Sequence, residues 1–404
     1  MKKSLLALAV AAALPGVALA QSSVTLSGNV KLGLAQTKFS NGTATVNLPG
    51  VTPATPAFPT NPTNNGSITG IADGSSRFIL SGVEDLGGGL KGIFQIDQRF
   101  RGDESRPSNT ADGNTFVGLA GGFGQFRVGK LDLYYGYGTD EHGIRATALQ
   151  HSNISILSYV NGTTAIARAS RSTNVIRYDS PRFGGVTFGL AFSPNAGGGE
   201  GGYQVPVATA AGALNANNPL GGTGDFQKGQ AVQADLSYAA GPIRAGIAFW
   251  DEKTEGYKTL GRDAGQKAAR IWGGYNFGLF DIGLTVDQSK FTGVNAANQE
   301  LKRTAFSIPI KVNIGSGTLL FTASAAGKTK LGGATQDGTD ARMYVLGYDY
   351  ALSKRTSLGV SYAFLDNKAN AAYAPFTGNA LGSIANPTAG QDIKQLYLGI
   401  RHAF

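Results

Sequence analysis

Three histidines and no cysteine narrow the chemistry open to this chain. Zinc sites draw on Cys and His at short spacings. His142 and His151 stand nine residues apart in one long segment, and His402 alternates onto an apolar face near the C-terminus. That is a poor ligand set, and no metal or cofactor is expected. Serine hydrolysis needs a Ser/His pair with an orienting partner, and no Gly-x-Ser-x-Gly elbow occurs to present the serine. Two glycine motifs suggest phosphate binding. Gly87-Gly88-Gly89-Leu90-Lys91-Gly92 satisfies GxGxxG, but a dinucleotide site needs a helix next. Ile93-Phe94-Gln95-Ile96-Asp97 alternates instead, as a strand does. Gly327-Lys328-Thr329 lacks the first glycine of a phosphate loop, since Thr322 stands there. No enzyme is expected. Lysines and arginines are spread singly, without a reading helix or interleaved aromatics, so no nucleic-acid partner is expected either.

The residues that do form a pattern are basic ones set between apolar neighbours at period two. If the apolar set faces outward, Lys31, Lys91, Arg99, Arg127, Arg177, Arg244, Arg270, Lys311 and Arg401 face inward, with Asp97, Asp235, Asp281 and Asp287. The elements that must position them are strands. Leu396, Leu398, Ile400, His402 and Phe404 fall on one face, and Gln395, Tyr397, Gly399 and Arg401 on the other. Residues 356–366 and 279–290 repeat the pattern. Strands are expected at 23–35, 76–84, 90–100, 114–120, 125–131, 171–179, 186–193, 230–239, 243–250, 267–275, 279–290, 302–313, 318–328, 341–351, 356–366 and 392–404.

Many of these segments have the roughly ten residues that a tilted strand needs to cross a bilayer. The connections alternate between short and long. Short turns carry Gly, Asn, Asp, Pro and Ser. Long loops are expected at 36–75, 101–113, 132–170, 193–229, 251–266, 291–301, 329–340 and 367–391, the first barred from regular structure by Pro49, Pro53, Pro56, Pro59 and Pro62. An even strand count with loops sorted by length is the pattern of a transmembrane barrel. Closure leaves no unpaired backbone edge in lipid. The fold expected is therefore all-β: one 16-stranded antiparallel transmembrane β-barrel with short periplasmic turns and long extracellular loops.

Composition agrees. Glycine is abundant at 59, methionine scarce at 2, and charged residues are only 15%. Met1-Lys2-Lys3, an apolar stretch from Leu5 to Leu14, and Val17-Ala18-Leu19-Ala20 read as a signal peptide cut after Ala20. That leaves residues 21–404 as a single barrel domain. Losing Lys2 and Lys3 lowers the formal charge from +9 to +7. No apolar run long enough for a membrane helix follows.

Several stretches resemble one known family, the β-proteobacterial general porins. They are Ser76-Arg77-Phe78, Glu84-Asp85-Leu86-Gly87-Gly88-Gly89-Leu90-Lys91, Val117-Gly118-Leu119 with Phe123-Gly124, Asn174–Pro181, Tyr350–Thr356, and the ending Gly399-Ile400-Arg401-His402-Ala403-Phe404. The resemblance runs from Val24 to Phe404. It implies a homotrimer in the Gram-negative outer membrane, and a third loop, about 132 to 170, folded into the lumen as the constriction. It also implies that Phe404 ends the signal read by the barrel-assembly machinery. Where relatives carry pore arginines, this chain has Ser81, Lys130 and Gly113-Asn114. Lys31, Arg99, Arg127, Lys130, Arg177 and Lys311 are the expected pore-lining or constriction residues, with Arg145 and Arg168 from the inward loop.

The function expected is a water-filled channel for passive diffusion of small hydrophilic solutes and ions. A basic lumen would make it mildly anion-selective. A substrate-specific anion porin and a surface-loop adhesin or receptor barrel remain alternatives. Outer-membrane lipid and lipopolysaccharide are the expected surroundings.

Overall fold

The computed structural model describes residues 22–42, 66–103, 112–134, 147–160, 164–166, 171–194, 196, 203–204, 226–227, 229–257, 262–293, 297–375 and 387–404. The leader expected at 1–20, with His142, Arg145 and Arg168, lies outside them. Sixteen antiparallel strands close into a barrel. They are β1 Ser23–Ser40, β2 (Gly66–Asp73 continued by Arg77–Gly87), β3 Leu90–Arg99, β4 Thr115–Gly121, β5 Gly124–Leu131, β6 Ser172–Asp179, β7 Val186–Ser193 and β8 Gly229–Ala240. The second half is β9 Ile243–Tyr257, β10 Arg262–Asn276, β11 Phe280–Thr292, β12 Leu301–Ile314, β13 Gly317–Ala326, β14 Ala341–Ala351, β15 Thr356–Asn367 and β16 Asp392–Ala403.

Each strand pairs with the next, and β16 returns to β1 with Lys31 opposite Arg401 and Leu34 opposite Leu398. The seam ends on Phe404. Its backbone exchanges two hydrogen bonds with Gly28 at 3.0 and 3.1 Å. A Cβ at Gly28 would lie 2.8 Å from the Phe404 ring, so the aromatic closes over bare backbone. Period two sorts the side chains as expected. On β16 Leu396, Leu398 and Ile400 are exposed on the outer surface, while Gln395 and Tyr397 are fully buried inside. Tight turns use the glycines: Gly87, Gly88 and Gly89 all have positive φ in the β2–β3 turn, where the Gly87 N–H donates to Asp85 at 2.9 Å. The GxGxxG match is this turn.

The first extracellular connection departs from expectation. Residues 36–40 and Gly66–Asp73 lie in strands rather than loop. Gly66–Asp73 pairs with the distal half of β1, Leu32 to Phe39, and Arg77–Gly87 with its proximal half. One extra residue between the two halves bulges β2. Ser75 takes φ 79, and the Asp73 carboxylate accepts the backbone N–H groups of Ser75 and Ser76, both at 2.7 Å. The five prolines lie outside the described residues. β9 and β10 also extend to Tyr257 and from Arg262, into the span expected as loop 251–266. Polar sequences there hide the alternation, but ladder hydrogen bonds form regardless of side chain. Short hairpins stand in three other long connections, at Tyr159–Val160 with Thr164–Ala165, Tyr203–Gln204 with Phe226–Gln227, and Lys330–Leu331 with Ala334–Thr335.

The inner wall and the third loop as candidate functional site

The apolar core of this protein lies inside the barrel. After Leu131 the chain turns inward, and Leu133, Tyr134, Val160 and Ile166 bury against Trp250, Phe291, Leu301 and Leu331 of the wall. Ile156 and Leu157 pack with Phe39, Met343, Val345 and Leu365. The third loop therefore crosses the lumen from β5 and rests on the opposite side.

One carboxylate anchors it. Asp287 on β11 is fully buried and accepts from Tyr134 Oη at 2.5 Å, Arg270 Nε at 3.1 Å, Arg303 Nη2 at 3.3 Å and Ser289 Oγ at 2.7 Å. Both arginines are also fully buried. Their remaining N–H groups donate into the loop. Arg270 reaches the carbonyls of Tyr134 and Leu157 at 3.3 and 3.0 Å, and Arg303 those of Ile156 and Leu157 at 3.0 and 3.2 Å. Residues 154–157 form a single helical turn, whose last carbonyls have no partner of their own. Two guanidinium groups supply the donors. The Arg270 guanidinium also lies 4.7 Å over the Tyr134 ring. Burial and the Asp287 charge push the Tyr134 phenol well above its ordinary pKa, so it stays a donor.

Polar contacts continue around the wall. Asn153 donates to Ser307 at 3.1 Å, the Ala148 N–H to Asp349 at 3.0 Å, and the Lys31 ammonium to the Leu149 carbonyl. His151 bridges two strands, 3.0 Å from Ser361 Oγ and 2.7 Å from Gln395 Oε1. Gln395 gives its amide N–H to Thr37 at 2.8 Å, which leaves Oε1 to accept from His151 Nε2–H. The neutral imidazole satisfies this arrangement. Burial, with the Lys31 charge adding, lowers its pKa from 6.5 to about 4, against the opposing pull of the Gln395 hydrogen bond.

A second set of charges lies on β5 to β8. Arg177 is buried between Asp179 at 2.6 Å and Asp235 at 2.9 Å, and Arg127 meets Asp179 at 2.5 Å. A Cβ at Gly189 would sit 2.2 Å from Arg177 Nη2, so only glycine leaves room for this pair. Arg244 and Asp281 pair at 2.6 Å. Lys311 stands across from Asp281 on the same inner row. The third set lies on β16 to β3. Arg401 sits opposite Lys31, and Arg77 opposite Arg99. Asp97, itself buried, is 3.3 Å from Arg77 and 3.8 Å from Arg99. The Arg77 and Arg99 side chains keep 39% and 20% of their surface in solvent, so they present their charge to water.

Inward is thus not the same as wet. Lys31, Arg177 and Arg270 occupy the inner row but are covered. Arg99 and Arg127 remain accessible. Lys130 lies opposite Thr115, in the outward row of Val128, with its ammonium 3.9 Å from Asp112. Arg77, Arg303, Asp179, Tyr134 and Arg171, which lies 3.4 Å from Asp132, are charge-bearing or anchoring residues not among those expected to line the pore. Parity alone marks Arg77, between outward Phe78 and the turn, and Arg303, three residues before outward Phe306. Among the described residues no three His, Asp or Glu side chains converge as metal ligands.

Two outcomes are expected. Asp287→Asn leaves two buried guanidinium groups without a countercharge, and unfolding in urea should require about 3–5 kcal/mol less. Planar-bilayer currents of that variant should become noisier as the loop is released. For His151, the folded pKa lies below the unfolded one, so its contribution is complete above about pH 6.5 and is lost as pH falls towards 4. Over that window unfolding free energy should drop by about 3 kcal/mol, and His151→Asn should flatten that part of the profile.

Known proteins place this architecture. A family model described as Gram-negative porin matches residues 7–370. Outer membrane porin protein 32 of Delftia acidovorans is 28% identical over 412 residues, covering 100% of both chains. Major outer membrane protein P.IB of Neisseria gonorrhoeae is 28% identical, covering 90% of this chain and 94% of its own. Among solved structures, an anion-selective porin from Comamonas acidovorans superposes with a TM-score of 0.72 at 23% identity, over 95% of this chain and 100% of that one. OmpT of Vibrio cholerae in a trimer form gives 0.61 at 12% identity, over 95% and 99%. With a closed barrel of sixteen strands, an inward third loop and a family match across most of its length, the chain belongs to the Gram-negative porins.

Proposed function

We propose that this porin is a passive diffusion channel of the outer membrane, admitting small hydrophilic solutes and ions with a mild preference for anions. The observation that carries the preference is the pair Arg77 and Arg99. Two guanidinium groups, one 39% and one 20% accessible to solvent, share one buried carboxylate, Asp97, with Arg401 beside them in the inner row. Of the other inner arginines, Arg127 and Arg177 are balanced by Asp179 and Asp235 and Arg244 by Asp281, while Arg270 and Arg303 share Asp287 but are fully buried under the third loop. Solvent-facing positive charge is therefore in surplus on the β16–β3 wall, and Lys311 adds to it beside the Arg244–Asp281 pair. A low-dielectric wall focuses that field into the water it faces. The anion-selective structure from Comamonas acidovorans supports the same reading.

The working unit is a homotrimer, in keeping with the trimer form recorded for OmpT. Residues 1–20 are removed as a signal peptide and 21–404 form the mature barrel. Phe404, which seals the β16–β1 seam, is presented to the barrel-assembly machinery, and lipopolysaccharide surrounds the outer half of the barrel. Transport requires no catalytic residue.

The test is the zero-current potential of the purified protein in a planar bilayer under a KCl gradient. Wild type should show a chloride-favouring potential. Arg77→Gln with Arg99→Gln should move it towards zero by roughly half or more. A potassium-favouring wild type would overturn the charge assignment.

A further inference from the structure

The outer wall carries a charge pattern that transport does not use. Lys267 on β10 lies directly opposite Lys290 on β11, Lys290 opposite Lys302 on β12, and Lys302 opposite Lys330 in the extracellular hairpin. All four are on the outward parity, the one shared by exposed Ile271, Leu284 and Phe306. Like charges directly opposite across strands destabilise a sheet. Among the described residues two carboxylates offset them: Asp251, 3.0 Å from Lys267, and Glu300, which pairs with Lys290. Lys302 and Lys330 make no ion pair among the described residues.

Position and shape narrow the purpose. On β11 the outward residues Phe280, Ile282, Leu284 and Val286 are apolar, and Gln288 and Lys290 follow. On β12 Lys302 and Thr304 precede Phe306, Ile308 and Ile310. The lysines therefore stand roughly 9 Å beyond the last apolar side chain, on the side of the long loops. That is the headgroup level of the outer leaflet. Next to them runs an outer groove of about 410 Å³, floored by Val232, Ala234, Phe249 and Ala269 and edged by Lys267, Lys290 and Lys302, which outnumber the carboxylates Asp251 and Glu300 on the same rim. A cationic rim above an apolar floor, facing lipid, fits an anionic headgroup with its acyl chain.

We propose that this lysine ladder and groove bind one molecule of lipopolysaccharide. Its lipid A phosphates span Lys290, Lys302 and Lys330, and an acyl chain lies on the Phe249–Ala269 floor. The site rests on the outer-membrane reading above and assigns residues to the lipid partner. Phosphate between facing lysines turns repulsion into attraction, so bound lipid stabilises the ladder.

The experiment titrates refolded protein in detergent with bisphosphorylated lipid A and with its dephosphorylated form, read by native mass spectrometry. The variants are Lys290→Gln/Lys302→Gln/Lys330→Gln and the same three positions changed to Arg. Wild type and the Arg variant should bind the phosphorylated lipid. The Gln variant should bind roughly tenfold more weakly, with single-channel conductance unchanged as proof of folding. Lys302→Gln, which loses no ion pair, serves if the triple variant does not fold, and should itself weaken binding. Equal binding by the Gln variant would overturn this site while leaving the lipid partnership intact. No binding by wild type would overturn the partnership itself. Equal binding of the dephosphorylated lipid would remove the role of the lysines. Loss of trimers with unchanged lipid binding would make this face a contact between copies of the chain.

Discussion

A single buried carboxylate between two buried guanidinium groups decides the shape of this lumen. Asp287 cannot neutralise both Arg270 and Arg303, and each arginine has donors left over. The carbonyls that end the turn at 154–157 accept them. Wall and loop thus complete one another's hydrogen bonding, which is the condition under which buried charge is tolerated. Without the loop the arginines would face water. Without the arginines the turn would end on bare carbonyls inside a barrel.

From that anchor the rest of the inner wall sorts itself. The β10–β16 side becomes a packed interior, with Ile156, Leu157, Met343 and Leu365 in one apolar cluster. The β16–β3 side keeps arginines accessible to solvent and short of carboxylates. The inner wall is thus uneven, packed where the third loop docks and holding partly accessible arginines elsewhere. The outer wall obeys a separate rule. It is apolar in the band that meets hydrocarbon and basic where the headgroups begin.

Much of this was legible in the sequence because a barrel in lipid obeys one strict period. The strands and the facing of Leu398 or Arg177 follow from alternation, and closure from the even count and the sorting of loops by length. What alternation does not report is depth. Arg99 and Arg270 have the same parity and the same chemistry, yet one meets water and the other lies beneath a loop. Only the long-range docking of the third loop separates them, and docking leaves no periodic trace in residues 132–170. The extension of β2 through Gly66–Asp73 was hidden for a related reason. Its bulge at Ser75 shifts the pattern by one residue, so the two halves do not read as one strand. The lysine ladder needed register as well as parity. Lys267, Lys290, Lys302 and Lys330 look scattered until the strands are paired.

At Ala148 the third loop lies against Gly359 of β15. A chain without cysteine allows a clean test. A Cβ built at Gly359 would stand 2.9 Å from the Cβ of Ala148 and 2.8 Å from its carbonyl carbon, so the loop backbone must retreat by about 1 Å for the two Cβ atoms to reach disulfide spacing. The measurement is the single-channel conductance of Ala148→Cys/Gly359→Cys, oxidised and then reduced. The bond should form in the folded barrel and leave the conductance the same in both states. A folded barrel that never cross-links, or one whose current vanishes on oxidation, would contradict this placement of the loop.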